Sequence, residues 1–225
     1  MFEGLFRKAP SKPQRNPVKE VLYGDLPLDQ WPRPDSSDTG VPWPDFIAAR
    51  EHLKSGQAPE ATACLQRIIA TPNLESLHYV EAWYFLRQSG VMPPPEDAKK
   101  VFGVIVEIGS SGVLIAAYRD YQARLYADSG KGVVWMRPDA SIDPIINAIF
   151  EVATQVVLRL GPWDKPRLPM PSGDITRISF LTPSGLHFGQ GPHKILCEDP
   201  NGKWVLQGAN ALMRALISKT EKPNS

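Results

Sequence analysis

From Asp45 onward, apolar residues recur at helical spacing. Phe46-Ile47, Ala49 and Leu53 form one stripe that ends at Ser55-Gly56. A second stripe has Pro59 in its first turn, carries Ala63-Cys64 and Ile68-Ile69, and stops at Thr71-Pro72. A third runs from Glu75 to Gln88 through Leu77, Val80, Tyr84 and Phe85; Gly90 caps it and Pro93-Pro94-Pro95 forbids its continuation. The pattern then shortens to a strand period. Phe102 to Gly109, Gly112 to Arg119, Gln122 to Asp128 and Val133 to Arg137 are apolar-rich segments parted by turn residues. Ser110-Ser111-Gly112 and Asp128-Ser129-Gly130 place a glycine where a hairpin needs positive φ, and Pro183-Ser184-Gly185 repeats the device between Ile175–Thr182 and Leu186–Gly189.

Between these β blocks lies the clearest helix of the chain. Asp143-Pro144 opens it, Gly161-Pro162 ends it, and Ile145-Ile146, Ile149-Phe150, Ala153, Val156-Val157 and Leu160 form its wide apolar stripe. A last helix spans Val205 to Ser218. Residues 192–198 read equally as a short helix started by Pro192 or as a strand. Antiparallel hairpins with two amphipathic helices predict an α+β fold: an N-terminal helical block followed by a two-layer antiparallel sheet with helices 143–160 and 205–218 on one face. Strand alternation then puts Ile178, Phe180, Leu186 and Phe188 inward and leaves Arg124, Tyr126, Arg177, Ser179 and His187 on the other, open face. The helical block belongs either over part of that face or at a sheet edge.

Composition changes the picture mainly at the N-terminus. Proline contributes 23 of 225 residues, and residues 1–45 hold a dense share of them. Neither a helix nor a central strand passes through that density, so 1–45 reads as an extended arm, its second half pinned by Trp31 and Trp43. The helical block then takes 46–100 and the sheet domain 101–225. Twenty-five Lys+Arg against 24 Asp+Glu leave a charge of +1, which argues against nucleic acid as the partner. Two cysteines cannot build a disulfide framework or a four-thiolate metal site. No apolar run is long enough for an integral membrane segment, and the opening residues lack a secretory pattern, so the expected compartment is the cytoplasm. Phe2, Leu5 and Phe6 are either a frayed terminus or a small face for a membrane surface.

Catalytic templates are missing: there is no G-x-S-x-G, H-E-x-x-H, Walker loop or strand-borne G-x-G-x-x-G. The glycines of 185–191 read as turn and bulge positions. No cofactor and no metal are expected. His187, set beside Arg177 and Ser179 by residue parity, is either a base on the open face or a hydrogen-bonded sheet histidine. Cys64 reads as core and Cys197 as a weak candidate nucleophile paired with His187; Glu107 and Asp174 are candidate paired acids. His52 and His78 look like surface or partner residues. The segment 161–171 stands apart: it is proline-stiffened and carries Trp163, Asp164, Arg167 and Met170. Stiff loops lose little entropy on docking, and Trp and Arg are favoured at binding hot spots; the other reading of Trp163 is a lid folded back over the core edge, plugging the sheet end.

Ala58, Ala61 and Leu65 through Ala82-Trp83-Tyr84-Phe85-Leu86 resemble a tetratricopeptide-like helix pair. With this pair upstream, Gly161-Pro162-Trp163 and the run Phe180 to Pro192 resemble an uncharacterised group of bacterial α+β proteins, a likeness that implies a non-secreted bacterial chain and assigns no functional residue. The expectation is a non-enzymatic protein-binding protein, an immunity or antitoxin type that neutralises a cognate toxin. Its partner-binding residues are Trp163, Asp164, Arg167, Met170, Arg124, Tyr126, Arg177 and His187. The alternative is a small-molecule-binding domain or hydrolase using the sheet face around His187 and Arg177.

Overall fold

The computed structural model describes residues 21–31 and 40–220; Phe2, Leu5 and Phe6 and most of the proline-rich segment lie outside them. Among the described residues the first α-helices are α1 (Trp43–Lys54), α2 (Ala58–Ala70) and α3 (Ser76–Gln88). The strands β1 (Gly103–Ile108), β2 (Val113–Tyr118), β3 (Ala123–Tyr126) and β4 (Gly132–Trp135) form a meander. Helix α4 (Asp143–Val157) crosses over to the hairpin β5 (Ile175–Thr182) and β6 (Gly185–Pro192); α5 (His193–Glu198) and α6 (Gly202–Thr220) close the chain. The sheet has six antiparallel strands in the order β4-β3-β2-β1-β5-β6, the α+β architecture that the periodicities predict. The hairpin glycines take positive φ as required: +61° at Gly112, +79° at Gly130 and +121° at Gly185. No helix among the described residues is long and apolar enough to cross a membrane.

One sheet face packs on α4 and α6. Val104, Val106, Ile115, Ile178 and Phe180 meet Ile146, Ile149, Ala153, Leu212 and Leu216 there. The two helices run close enough that a Cβ on Gly208 would lie 2.5 Å from Ile149. Residues 192–198 resolve into the end of β6 and the short α5. Asp199 then accepts the backbone N–H groups of Asn201 and Gly202, so α6 starts at Gly202, earlier than its apolar stripe suggests.

The second face differs from expectation. It is buried, not open. A 3-10 turn at Val21–Tyr23, inside the segment expected to be an extended arm, lays Leu22 and Tyr23 over the sheet beside Val80 of α3. Beneath them lie Ile105, Leu114, Ala116, Tyr118, Tyr126 and Leu181. Tyr118 donates its hydroxyl to the Leu22 carbonyl at 2.9 Å, which ties the turn to the strand below. Sheet alternation alone cannot reveal such a cover, because the residues that seal the face lie some eighty positions upstream.

The helical block has its own core, with Phe46, Leu65, Ile68, Phe85 and Leu86 fully buried. Trp31 and Trp43 pack on it together, their rings 5.3 Å apart. His78, expected at the surface, is 7% exposed and sits among Trp31, Trp43 and Phe46. Burial lowers it to about 4, against the pull of the Asp120 charge, so its ring is neutral at pH 7.

Candidate docking cleft

The 161–171 segment is held at several points. At its entry, the carbonyls of Leu158 and Leu160 accept Lys99 Nζ at 2.8 and 3.0 Å. His187 Nδ1 also meets the Leu160 carbonyl, at 3.2 Å. Further along, the Trp163 N–H donates to Leu186 on β6 at 2.7 Å, and its indole N–H donates to Pro166 at 3.1 Å while the ring packs on Phe188. Arg167 Nε donates to Asp25 at 2.9 Å, and its guanidinium stacks 4.0 Å over Tyr23. Arg177 Nη1 donates to the carbonyls of Leu168 and Pro169. Met170 packs against the arm-side core. The loop is therefore a fixed rim, stitched to the N-terminal turn on one side and to the sheet on the other.

That rim, the turn 23–25, α3 and the β5–β6 hairpin enclose a cleft of about 400 Å³. Val80, Tyr84 and Arg87 line it from one stripe of α3, and Trp163, Asp164, Lys165 and Arg167 line it from the loop. Arg87 stands out. Its Nη1 donates to the Pro183 carbonyl, and no carboxylate lies within ion-pair distance of it among the described residues. Burial lowers Arg87 to about 10, so it carries its charge at pH 7. A half-buried guanidinium with donors to spare is a receptor for a carboxylate or phosphate. Tyr84 beside it is raised by burial and then by the charges of Asp25 and Glu81. Arg87 was not singled out from sequence, yet a cation on the apolar stripe of Val80 and Tyr84 is a legible signal.

Below the cleft lies a buried charge cluster. Arg177 on β5 and Glu107 on β1 are directly paired in register, with Nη1 3.1 Å from Oε2. Burial raises Glu107, and the Arg177 and Arg167 charges oppose that rise. The same burial and the Glu107 charge push the Tyr23 phenol well up. Arg177 also donates to Gln190 and lies over the Phe188 ring. It is 5% exposed, so it acts as an internal clamp on the loop rather than as a contact surface. Glu107 is thus paired with an arginine, not with Asp174, whose carbonyl accepts the His193 N–H.

His187 is not beside Arg177. The hairpin pairs Thr182 with Gly185, so odd positions of β5 oppose even positions of β6. Phe180 faces His187 and Ser179 faces Phe188, and opposed residues share a face. His187 therefore joins the α4 side, while Leu186 and Phe188, expected inward, belong to the arm side. The ring is fully buried and lowered by burial. The Leu160 carbonyl can only accept, so Nδ1 carries the proton and Nε2 accepts the Ser184 hydroxyl at 2.9 Å. Both nitrogens are spent on structure.

Arg124 and Tyr126 are on the same face as Arg177, as parity predicts, but β3 is three strands from β5, about 14 Å at ordinary strand spacing. Arg124 bonds to the Trp135 carbonyl and to Gln122, and Tyr126 is buried. Of the sequence-singled residues, Trp163, Asp164 and Arg167 line the cleft itself. Compared with known proteins, the chain matches no family model, no curated protein and no solved structure.

Proposed function

We propose that the chain is a non-enzymatic protein-binding protein, of the immunity or antitoxin type that neutralises a toxin by direct binding, and that its partner docks in the cleft over Arg87. The observation that carries this reading is the half-buried Arg87, outside ion-pair distance of every described carboxylate, beneath a rim fixed by Trp163 and Arg167. A partner presenting an acidic side chain beside an apolar one complements it: the acid meets Arg87, and the apolar group lies among Val80, Leu186 and Trp163. A rim already held by hydrogen bonds loses little entropy on docking. The histidine near the rim, His187, has both ring nitrogens committed to structural bonds, which favours binding over turnover.

The test is affinity purification of the tagged chain from its host, followed by titration of the recovered partner. Arg87→Ala and Lys165→Glu are each expected to weaken binding about tenfold or more, equal to about 1.4 kcal/mol. Rescue by the chain of cells poisoned by that partner supports the toxin-neutralising role. A partner whose affinity ignores both substitutions sinks the cleft as the docking site.

A second reading is favoured by volume. About 400 Å³ suits a small molecule bearing a carboxylate or phosphate. A low-molecular-weight anion that binds the pure chain, and is lost in Arg87→Ala, decides for that class.

A further inference from the structure

We propose that Cys197 is a reactive thiol, a modification site that forms a mixed disulfide with low-molecular-weight disulfides, with His193 as its base and Thr176 as the orienter of that base. Helix α5 sets His193 and Cys197 one turn apart, on one side of the helix. The Cys197 Sγ lies 3.4 Å from His193 Nε2. The other ring nitrogen, Nδ1, lies 3.0 Å from the Thr176 hydroxyl on β5, a residue that is fully buried. The backbone of His193 is fixed as well, its N–H donating to the Asp174 carbonyl at 2.7 Å. Nucleophile, base and orienter therefore come from α5 and the adjoining strand, in the order that activates a thiol.

Proton transfer along the existing contact is well accommodated. When the thiol proton moves to Nε2, the imidazolium holds two N–H groups and each has an acceptor. Thr176 Oγ1 serves Nδ1 and the thiolate serves Nε2. The thiolate, not the thiol, is the nucleophile. It attacks one sulfur of the disulfide, a new S–S bond forms, the old S–S bond breaks, and the leaving thiolate takes the proton held on His193. Sequence pairs Cys197 with His187; the fold puts that histidine on a different errand and supplies His193 instead.

The other cysteine is a built-in control. Cys64 is 3% exposed in the helical-block core, with its sulfur accepting from Arg67 Nη2 at 3.1 Å. The Cys197 site shares no residue with the cleft lined by Arg87 and Trp163, so either assignment can fail without the other.

The experiment treats the full folded chain with oxidised glutathione and follows intact mass and peptide mapping over time. One glutathione is expected on Cys197, none on Cys64, with full reversal by a dithiol; Cys197→Ser abolishes the adduct. An ordinary thiol is only a few per cent ionised at pH 7, so losing the base in His193→Gln is expected to slow the reaction about tenfold or more there. That ratio is expected to shrink toward one above about pH 9, where an ordinary thiol ionises unaided; a merely structural histidine would not produce this convergence. Thr176→Val, which keeps the side-chain volume, slows the reaction in the same direction and keeps the test available if His193→Gln does not fold. Equal rates at pH 7 for wild type and His193→Gln, an adduct on Cys64 alone, or no adduct at all would each overturn the proposal.

Discussion

Arg177 and Glu107 face each other across β5 and β1 with 3.1 Å between guanidinium and carboxylate, each about 95% withdrawn from solvent. Arg177 carries more than the ion pair. Its Nη1 also reaches the Leu168 and Pro169 carbonyls, so one side chain joins the central sheet to the loop that rims the cleft. Removing one partner of a buried pair leaves the other charged and uncompensated. Arg177→Met is expected to cost about 3–5 kcal/mol in urea denaturation, and the double variant Arg177→Met/Glu107→Gln to recover a substantial part of that loss. A double variant no more stable than the single one would mean that the loop contacts, not the charge pair, dominate.

The N-terminal turn depends on Gly24. Its φ is +57°, and a Cβ there would lie 2.7 Å from Val80 Cγ1. Gly56 has φ +74° with open space around it. Gly56→Ala therefore measures backbone strain alone, about 1 kcal/mol, whereas Gly24→Ala adds a clash and is expected to cost about 2 kcal/mol or more. Equal losses in thermal or urea unfolding would show that the turn yields without penalty.

His187 ties the entry of the 161–171 loop, at the Leu160 carbonyl, to the hairpin turn at Ser184. His187→Ala removes both ring hydrogen bonds and leaves a cavity at a fully buried position, so a loss on the order of 2–3 kcal/mol is expected. Partner affinity should be unchanged at temperatures where the variant is folded. A large affinity loss without destabilisation would return His187 to the binding surface.

His78 predicts a pH dependence with a definite sign. Burial lowers its folded value to about 4 from the ordinary histidine value of 6.5. Between those limits the unfolded chain takes up a proton that the folded chain refuses, so this residue's contribution falls as pH drops from about 6.5 to 4, by at most roughly 3 kcal/mol. Buried Glu81 and Glu107, raised in the fold, act in the opposite sense as pH falls. The quantity to measure is therefore the difference between wild type and His78→Phe across this window. A difference independent of pH would show that His78 is free to protonate in the folded state.

Hydrophobic periodicity by itself determined the three N-terminal helices, the meander, the α4 crossover and the β5–β6 hairpin, because 3.6- and 2-residue periods are imposed by backbone geometry within each segment. It also placed Arg124 and Arg177 on one face and marked Trp163 and Arg167 as a stiff loop. The error at His187 was local: a two-residue turn pairs positions of opposite parity, so alternation cannot be carried across it by counting. What only the tertiary structure decided is what covers that face and what meets beneath the cover. Leu22 and Tyr23 seal the sheet, Asp25 pairs with Arg167, Glu107 with Arg177, and Arg87 is left outside ion-pair distance of the described carboxylates. Each of these joins segments far apart in the chain, where burial and charge pairing are set by packing between elements rather than by any period within one.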